Sequence, residues 1–309
     1  MKRIQYHRYG GPEEMRLETY ELPALGKDEV LVRVKAASIN PFDWKVRQGA
    51  MKMFVRGKFP RGMGTDFAGV VEAVGASISR FRIGDEVLGT GPLAGGAFGE
   101  QLVTKEKLVI KKPEALSFEQ AAALPAVAVT AWRALVLKGH LKAGQAVFVN
   151  GALGGVGQAA VYIAKAMGAS VAGRVGPSAL EEAKTIGINP TLDYTKPIPS
   201  SLNGRFDIVF DTNGSLSIAE GNALAKPKGV VVDTNPTGAK FMKSLFSSRR
   251  QFVFGSPDIG ILQKIVELAS SGKLPLTIGR TAPLAEAIAL ISDLEAGRRA
   301  KGKAVVVMS

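Results

Sequence analysis

The run VFVNGALGGVG at 147–157 joins an apolar strand to a glycine turn, and the alanine-rich run 158–168 behind it has helical composition. Glycines stand at 151, 154, 155 and 157. Backbone without side chains can approach a pyrophosphate closely, and a helix that begins there offers it free N–H groups and a positive dipole end. Asn150, Gly151, Ala152, Gly154, Gly155 and Val156 are the residues in reach. Against the G-x-G-x-x-G pattern Ala152 takes the first glycine position, while Gly154 and Gly157 fit. About 20 residues on, where a site specific for an unphosphorylated ribose carries an acid, the second strand ends in Arg174. No acid follows before Glu181. A guanidinium can bind a ribose 2′-phosphate through charge-assisted hydrogen bonds worth roughly 1.5–3 kcal/mol each. Ser178 adds a hydroxyl nearby. The pattern predicts NADPH rather than NADH.

The elements that must position these residues alternate. Strands are expected near 146–150, 170–174, 191–194, 206–211, 229–234 and 251–255, with helices near 155–167, 178–186, 215–225 and 258–271. Such alternation predicts a doubly wound parallel sheet of six strands, an α/β fold. Asp211, Thr212 and Asn213 end the fourth strand, and Thr234 and Asn235 follow the fifth. Both groups fall at the carboxyl edge where ligands bind such sheets.

Residues 1–112 read as all-β, with alternation at 29–35 and 67–74 and glycine clusters between strands. One helix is expected at 41–48, with Asn40 at its N-cap and Pro41 at its first position. Ser117 and Gln120 form a capping box that opens an alanine-rich helix, and a second helix is expected over 129–138. A helix near 283–296 precedes a terminal strand at 304–308 that has no slot in the nucleotide sheet and is expected to return to the first domain. The predicted division is 1–117 with 275–309, and 118–274.

Composition excludes several chemistries. With no cysteine there are no disulfides, thiolate zinc sites, iron–sulfur clusters or cysteine nucleophiles. The two histidines, His7 and His140, lack ligand spacing, which argues against a Ser–His–Asp triad and a histidine metal centre. No run approaches 18 apolar residues, and residues 1–6 lack the apolar core of a signal peptide, so a cytoplasmic protein is expected. The net charge of +13 favours anionic partners, but its basic residues are scattered, which argues against specific nucleic-acid binding.

Several stretches together resemble the medium-chain dehydrogenase/reductase superfamily, and within it the zinc-free quinone oxidoreductase and enone reductase branch. They are AASINPFDWK at 36–45, GTDFAGVV at 64–71, FRIGDEV at 81–87, TAWRA at 130–134, the glycine turn, LDYT at 192–195 and GKAV at 302–305. The resemblance implies a GroES-like β-barrel domain, a Rossmann domain, a C-terminal return to the barrel and an active site in the cleft between the domains. Asn40 stands where zinc-dependent relatives place a catalytic cysteine, Thr65 where they place a histidine, and Ala126 where their third ligand falls. No metal is expected. Without a Lewis acid the implied chemistry is hydride delivery to acceptors already electrophilic.

The same resemblance implies roles. Lys45 matches a lysine that points towards the nicotinamide ribose, where a cation would stabilise the oxyanion formed after hydride transfer. Asn40 would donate to that oxygen, with Asp43 in the same group. Thr130 matches a threonine near the nicotinamide half of the cofactor, and Tyr194 a tyrosine near the 2′-phosphate. Arg299 and Ala300 lie in a C-terminal region that reaches the cofactor in enone-reductase relatives. Asp66 reads as an active-site floor or, by preference, a structural residue of the barrel. Residues 49–63 form either a substrate rim or a surface loop. The function expected is NADPH-dependent reduction of quinones or α,β-unsaturated carbonyl compounds. Enoyl-thioester reduction on the same scaffold is the alternative, and a non-catalytic NADPH- and RNA-binding protein a more distant one. A homodimer through the Rossmann edge strand at 251–255 is a further expectation.

Overall fold

Alternation in the strand Glu29–Ser38 buries Val30, Val32 and Val34 while Arg33 faces outward, and most of the first unit is assembled round this strand. The structure, a computed structural model, describes residues 1–53, 55, 57–234, 240, 242, 249–298 and 301–308. Among these residues two compact units are present: Met1–Ala126 with Pro257–Ser270 and Leu276–Ser309, and Val127–Ser256 with Ser271–Pro275.

In the first unit Glu29–Ser38 pairs antiparallel with Asp66–Val74, Gln101–Lys105 and Lys303–Val307. The terminal strand thus joins the first unit's sheet, as expected, and also pairs parallel with Ile278–Pro283. A second, three-stranded sheet places Lys2–Tyr6 between Arg16–Thr19 and Arg61–Gly62. Ile4, Phe67, Phe98, Ala304 and Val306 share one core. Burying isoleucine, phenylalanine or valine side chains contributes about 1.5–3 kcal/mol each. The helix Pro41–Arg47 forms where predicted, with Pro41 in its first turn and an extended Asn40 before it. Gly49 ends it with φ +83°, a conformation that disfavours any side chain.

In the second unit six parallel strands run in the order Thr191–Asp193, Ser170–Val175, Ala146–Asn150, Phe206–Asp211, Ala225–Asp233, Arg250–Phe252. The near-continuous apolar runs of the central strands fit a sheet covered on both faces. Register sets Asn150 beside both Arg174 and Asp211, and Asp211 beside Asp233, so these residues line one carboxyl edge.

Some boundaries differ from expectation. The fifth strand starts at Ala225 rather than 229, because a register shift opposite Phe206 and Ile208 accommodates Pro227. The edge strand is Arg250–Phe252 rather than 251–255. The helix expected at 129–138 begins at Pro125, a residue tolerated in a first turn, and passes into a π-helix over Arg133–Lys138.

Candidate active site

The turn after Ala146–Asn150 has the geometry of an anion cradle. Gly151 has φ +82°, and both its N–H and that of Ala152 donate to the Arg174 carbonyl at 3.0 Å. A Cβ on Gly157 would overlap the Gly151 carbonyl oxygen, so only glycine fits. Gly154 is the N-cap of the helix Gly155–Ala166, with Val156 in its first turn, and no side chain caps it. The first-turn amides are therefore left to a ligand or water.

Arg174 is 9% exposed. Its Nη2 donates to the carbonyls of Tyr194 at 2.7 Å and Lys196 at 3.2 Å. Its buried Nε has no hydrogen-bond partner among the described residues. A buried donor in that state is costly unless a ligand or water meets it. Tyr194 is 53% exposed beside it, and Ser178 is exposed in the short 3-10 helix Pro177–Ala179. Arginine, tyrosine and serine are thus brought to one sheet corner next to the turn. Thr130 is buried in the helix Pro125–Trp132, its Oγ1 3.1 Å from where a Cβ on Gly255 would lie.

At the carboxyl edge several expected cofactor contacts are engaged with the protein itself. Asn150 Nδ2 donates to Asp211 Oδ1, Asn213 Oδ1 and Ser215 Oγ within 3.0 Å. Asp211 is fully buried and also accepts from the main-chain N–H groups of Gly214 and Leu216 and from Lys240 Nζ at 2.9 Å. Lys240 bridges on to Asp233 at 3.0 Å, and Arg250 Nη1 meets the other oxygen of Asp233 at 2.5 Å. Burial raises the Asp233 carboxyl, and Lys240 and Arg250 oppose that rise. Asp211 and Asn213 therefore brace the carboxyl edge. Thr212 Oγ1 donates to the Asn150 carbonyl at 2.7 Å, and Thr234 Oγ1 to the Thr212 carbonyl at 2.8 Å. Nothing in the local sequence points to Lys240, Asp233 and Arg250 as partners. Three charges on separate segments leave no local pattern.

The first unit holds a second buried cluster. Lys303 Nζ donates to Asn40 Oδ1 at 2.6 Å and to the Ile39 carbonyl at 2.9 Å. Asn40 Nδ2 donates to Asp66 Oδ2 at 3.0 Å, and the Ala126 N–H reaches the same oxygen at 2.9 Å. The Asn40 N–H donates to Asp43 Oδ2 at 2.7 Å. Burial pushes the Asp43 carboxyl up to about 7, helped by the charge of Asp66 and opposed by the Asn40 N–H, Lys303 and Thr65. Asp66 is raised by burial against Lys303 and its donors, and Lys303 is lowered by burial against the two carboxylates. Asn40 and Asp43 are each 4% exposed and are joined to Asp66 and Lys303 in this cluster. Lys45 is part-exposed on the same helix. Asn235, Arg299 and Ala300 lie outside the described residues.

Residues 26–114 match the alcohol dehydrogenase GroES-like domain and residues 186–306 the zinc-binding dehydrogenase domain. A chloroplastic quinone-oxidoreductase homolog of Spinacia oleracea is 31% identical over 99% of this chain and 98% of its own length. The chain belongs to the medium-chain dehydrogenase/reductase family. An NADPH-dependent alkenal/one oxidoreductase of Arabidopsis thaliana is 35% identical over 78% of this chain and 65% of its own. The solved quinone oxidoreductase of Coxiella burnetii superposes with a TM-score of 0.90 at 29% identity, covering 100% of this chain and 99% of that one. This medium-chain dehydrogenase/reductase is therefore an oxidoreductase of the quinone oxidoreductase and enone reductase branch, with the family's GroES-like and Rossmann domains.

The zinc in the second domain's description finds no fitting donors at these positions. Asn40 Oδ1 already accepts from an ammonium, Thr65 offers only a hydroxyl and Ala126 only a methyl, and the neighbouring Asp66 Oδ2 already accepts from Asn40 and Ala126. A dinucleotide does fit the second unit: the uncapped helix, the glycine that excludes a Cβ and the orphaned Arg174 Nε are all complementary to phosphates. Among the described residues no helix is long and apolar enough to cross a membrane.

Proposed function

We propose that this enzyme is a metal-independent, NADPH-dependent reductase of quinones or α,β-unsaturated carbonyl compounds. The observation that carries the reading is that the expected ligand positions hold Asn40, Thr65 and Ala126, with Asn40 closed on the neighbouring Asp66 and on Lys303. Residues that offer so little to a metal support an acceptor that needs no Lewis acid. The names of the spinach and Arabidopsis relatives support the same acceptor classes.

When bound, NADPH supplies the hydride. The amides of Gly155 and Val156 and the turn at Gly151–Gly154 would hold its pyrophosphate, with Ala152 packed beneath. Arg174 would bind the 2′-phosphate through the Nε that the protein leaves unpartnered, with Ser178 and Tyr194 beside it. Thr130 would line the nicotinamide half. Lys45 would hold the ribose and stabilise the enolate or quinol oxygen as negative charge develops there. Asn40 and Asp43 would position the helix that carries Lys45. Steady-state kinetics with NADPH and a short-chain enone test the assignment. Lys45→Ala should lower kcat by about tenfold or more, and an unchanged kcat would remove Lys45 from the mechanism.

A further inference from the structure

The helix Pro41–Arg47 is held at both ends by the last part of the chain. At its start, Lys303 Nζ fixes the Ile39 carbonyl and Asn40 Oδ1, and the Ile39 N–H donates to the Ala304 carbonyl at 2.9 Å. At its end, Glu295 accepts from Arg47 Nη2 at 2.6 and 2.5 Å and from Gln48 Nε2 at 2.6 Å. A seven-residue helix has little stability of its own in water, so its place is set by tertiary contacts. Arg47 is 0% exposed and Lys303 4% exposed. Buried charges of this kind tolerate little displacement, because each loses its compensation when its partner moves. Lys45 lies between the two attachments.

We infer that Glu295 and Lys303 are positioning residues that together fix the helix Pro41–Arg47 and, through it, the Lys45 ammonium. The clamp itself stands on the geometry; its consequence for turnover rests on the role proposed for Lys45. The C-terminal segment is thereby a working part of the site, although neither residue meets a reactant.

Two readouts on the full chain separate the clamp from that role. Hydrogen exchange should show the amides of 42–48 opening about tenfold faster or more in Glu295→Gln and in Lys303→Met. Unchanged exchange in the folded variants overturns the clamp whether or not the enzyme turns over. In steady-state assays with saturating NADPH and an enone, each variant should lower kcat by about tenfold or more. Repeated in a Lys45→Ala background, the same substitutions should cost less than about twofold, since the effect passes through Lys45. Equal losses in both backgrounds overturn the positioning role. Glu295→Gln is the milder change and decides the matter if Lys303→Met does not fold. A wild-type chain inactive on both quinones and enones would refute the proposed reaction, and the exchange result would still decide the clamp.

Discussion

The Lys303 ammonium lies 2.6 Å from the side-chain oxygen of Asn40, a residue 263 positions earlier in the chain. That contact ties the terminal strand to the entry of the helix Pro41–Arg47 and completes a buried cluster with Asp43 and Asp66. A protein cation thus engages Asn40, the position where zinc-dependent relatives are expected to place a catalytic cysteine, which supports the metal-independent reaction proposed above.

Arg174→Ala should abolish the preference for NADPH. Losing one charge-assisted contact of roughly 1.5–3 kcal/mol corresponds to about 10- to 150-fold in affinity. KM for NADPH should rise by a factor in that range while KM for NADH stays within about twofold. Equal use of both cofactors by the wild type, with neither constant altered in the variant, would contradict the assignment.

Gly157→Ala should weaken dinucleotide binding more than it weakens the fold. The added methyl overlaps the Gly151 carbonyl, so the turn or the helix start must shift away from the phosphate position. A dissociation constant for NADPH raised by about tenfold or more is expected, measured by quenching of protein fluorescence. Wild-type affinity would show that the turn is not the pyrophosphate cradle.

Glu295→Ala leaves Arg47, a fully buried guanidinium, without its carboxylate. Removing one partner of a buried pair typically costs about 3–5 kcal/mol, so denaturant unfolding should shift by an amount of that order. Replacing both residues with apolar ones of similar volume (Arg47→Met with Glu295→Leu) should recover most of the loss. A single variant as stable as the wild type would contradict the structural weight given to this pair.

Asp43 predicts a stability profile of unusual sign. Its folded-state value is raised from 3.8 to about 7, chiefly by burial, with Asp66 adding to the rise and Lys303, Thr65 and the Asn40 N–H opposing it. The folded state holds the proton more tightly, so the favourable contribution is full below pH 3.8 and is lost as pH rises through about 7. Relative to Asp43→Asn, the wild type should lose stability between those limits. A difference between the two that is flat with pH would contradict the assignment.

Much of this architecture is legible in the sequence because it is local. The glycine turn, the capping box at Ser117 and the strand–helix alternation each lie within a few residues, and each forms where its pattern places it. Asn40 shows the boundary of such reasoning. Its place before Pro41 identifies a helix start, but its side chain turns to Asp66 and Lys303. Arg47 has no partner signalled in its local sequence and is buried on Glu295. Asp211 sits at the edge where ligands bind, yet Asn150 and Lys240 occupy its oxygens. Partners tens to hundreds of residues away leave no trace in periodicity or spacing.

The most direct test of the central claim is NADPH oxidation by the chelator-treated enzyme against benzoquinone, a short-chain enone and crotonyl-CoA. Loss of NADPH absorbance with the quinone or the enone, undiminished by the chelator, is the predicted result. No oxidation with either, oxidation by the thioester alone, or activity that disappears on chelation and returns with zinc would contradict it.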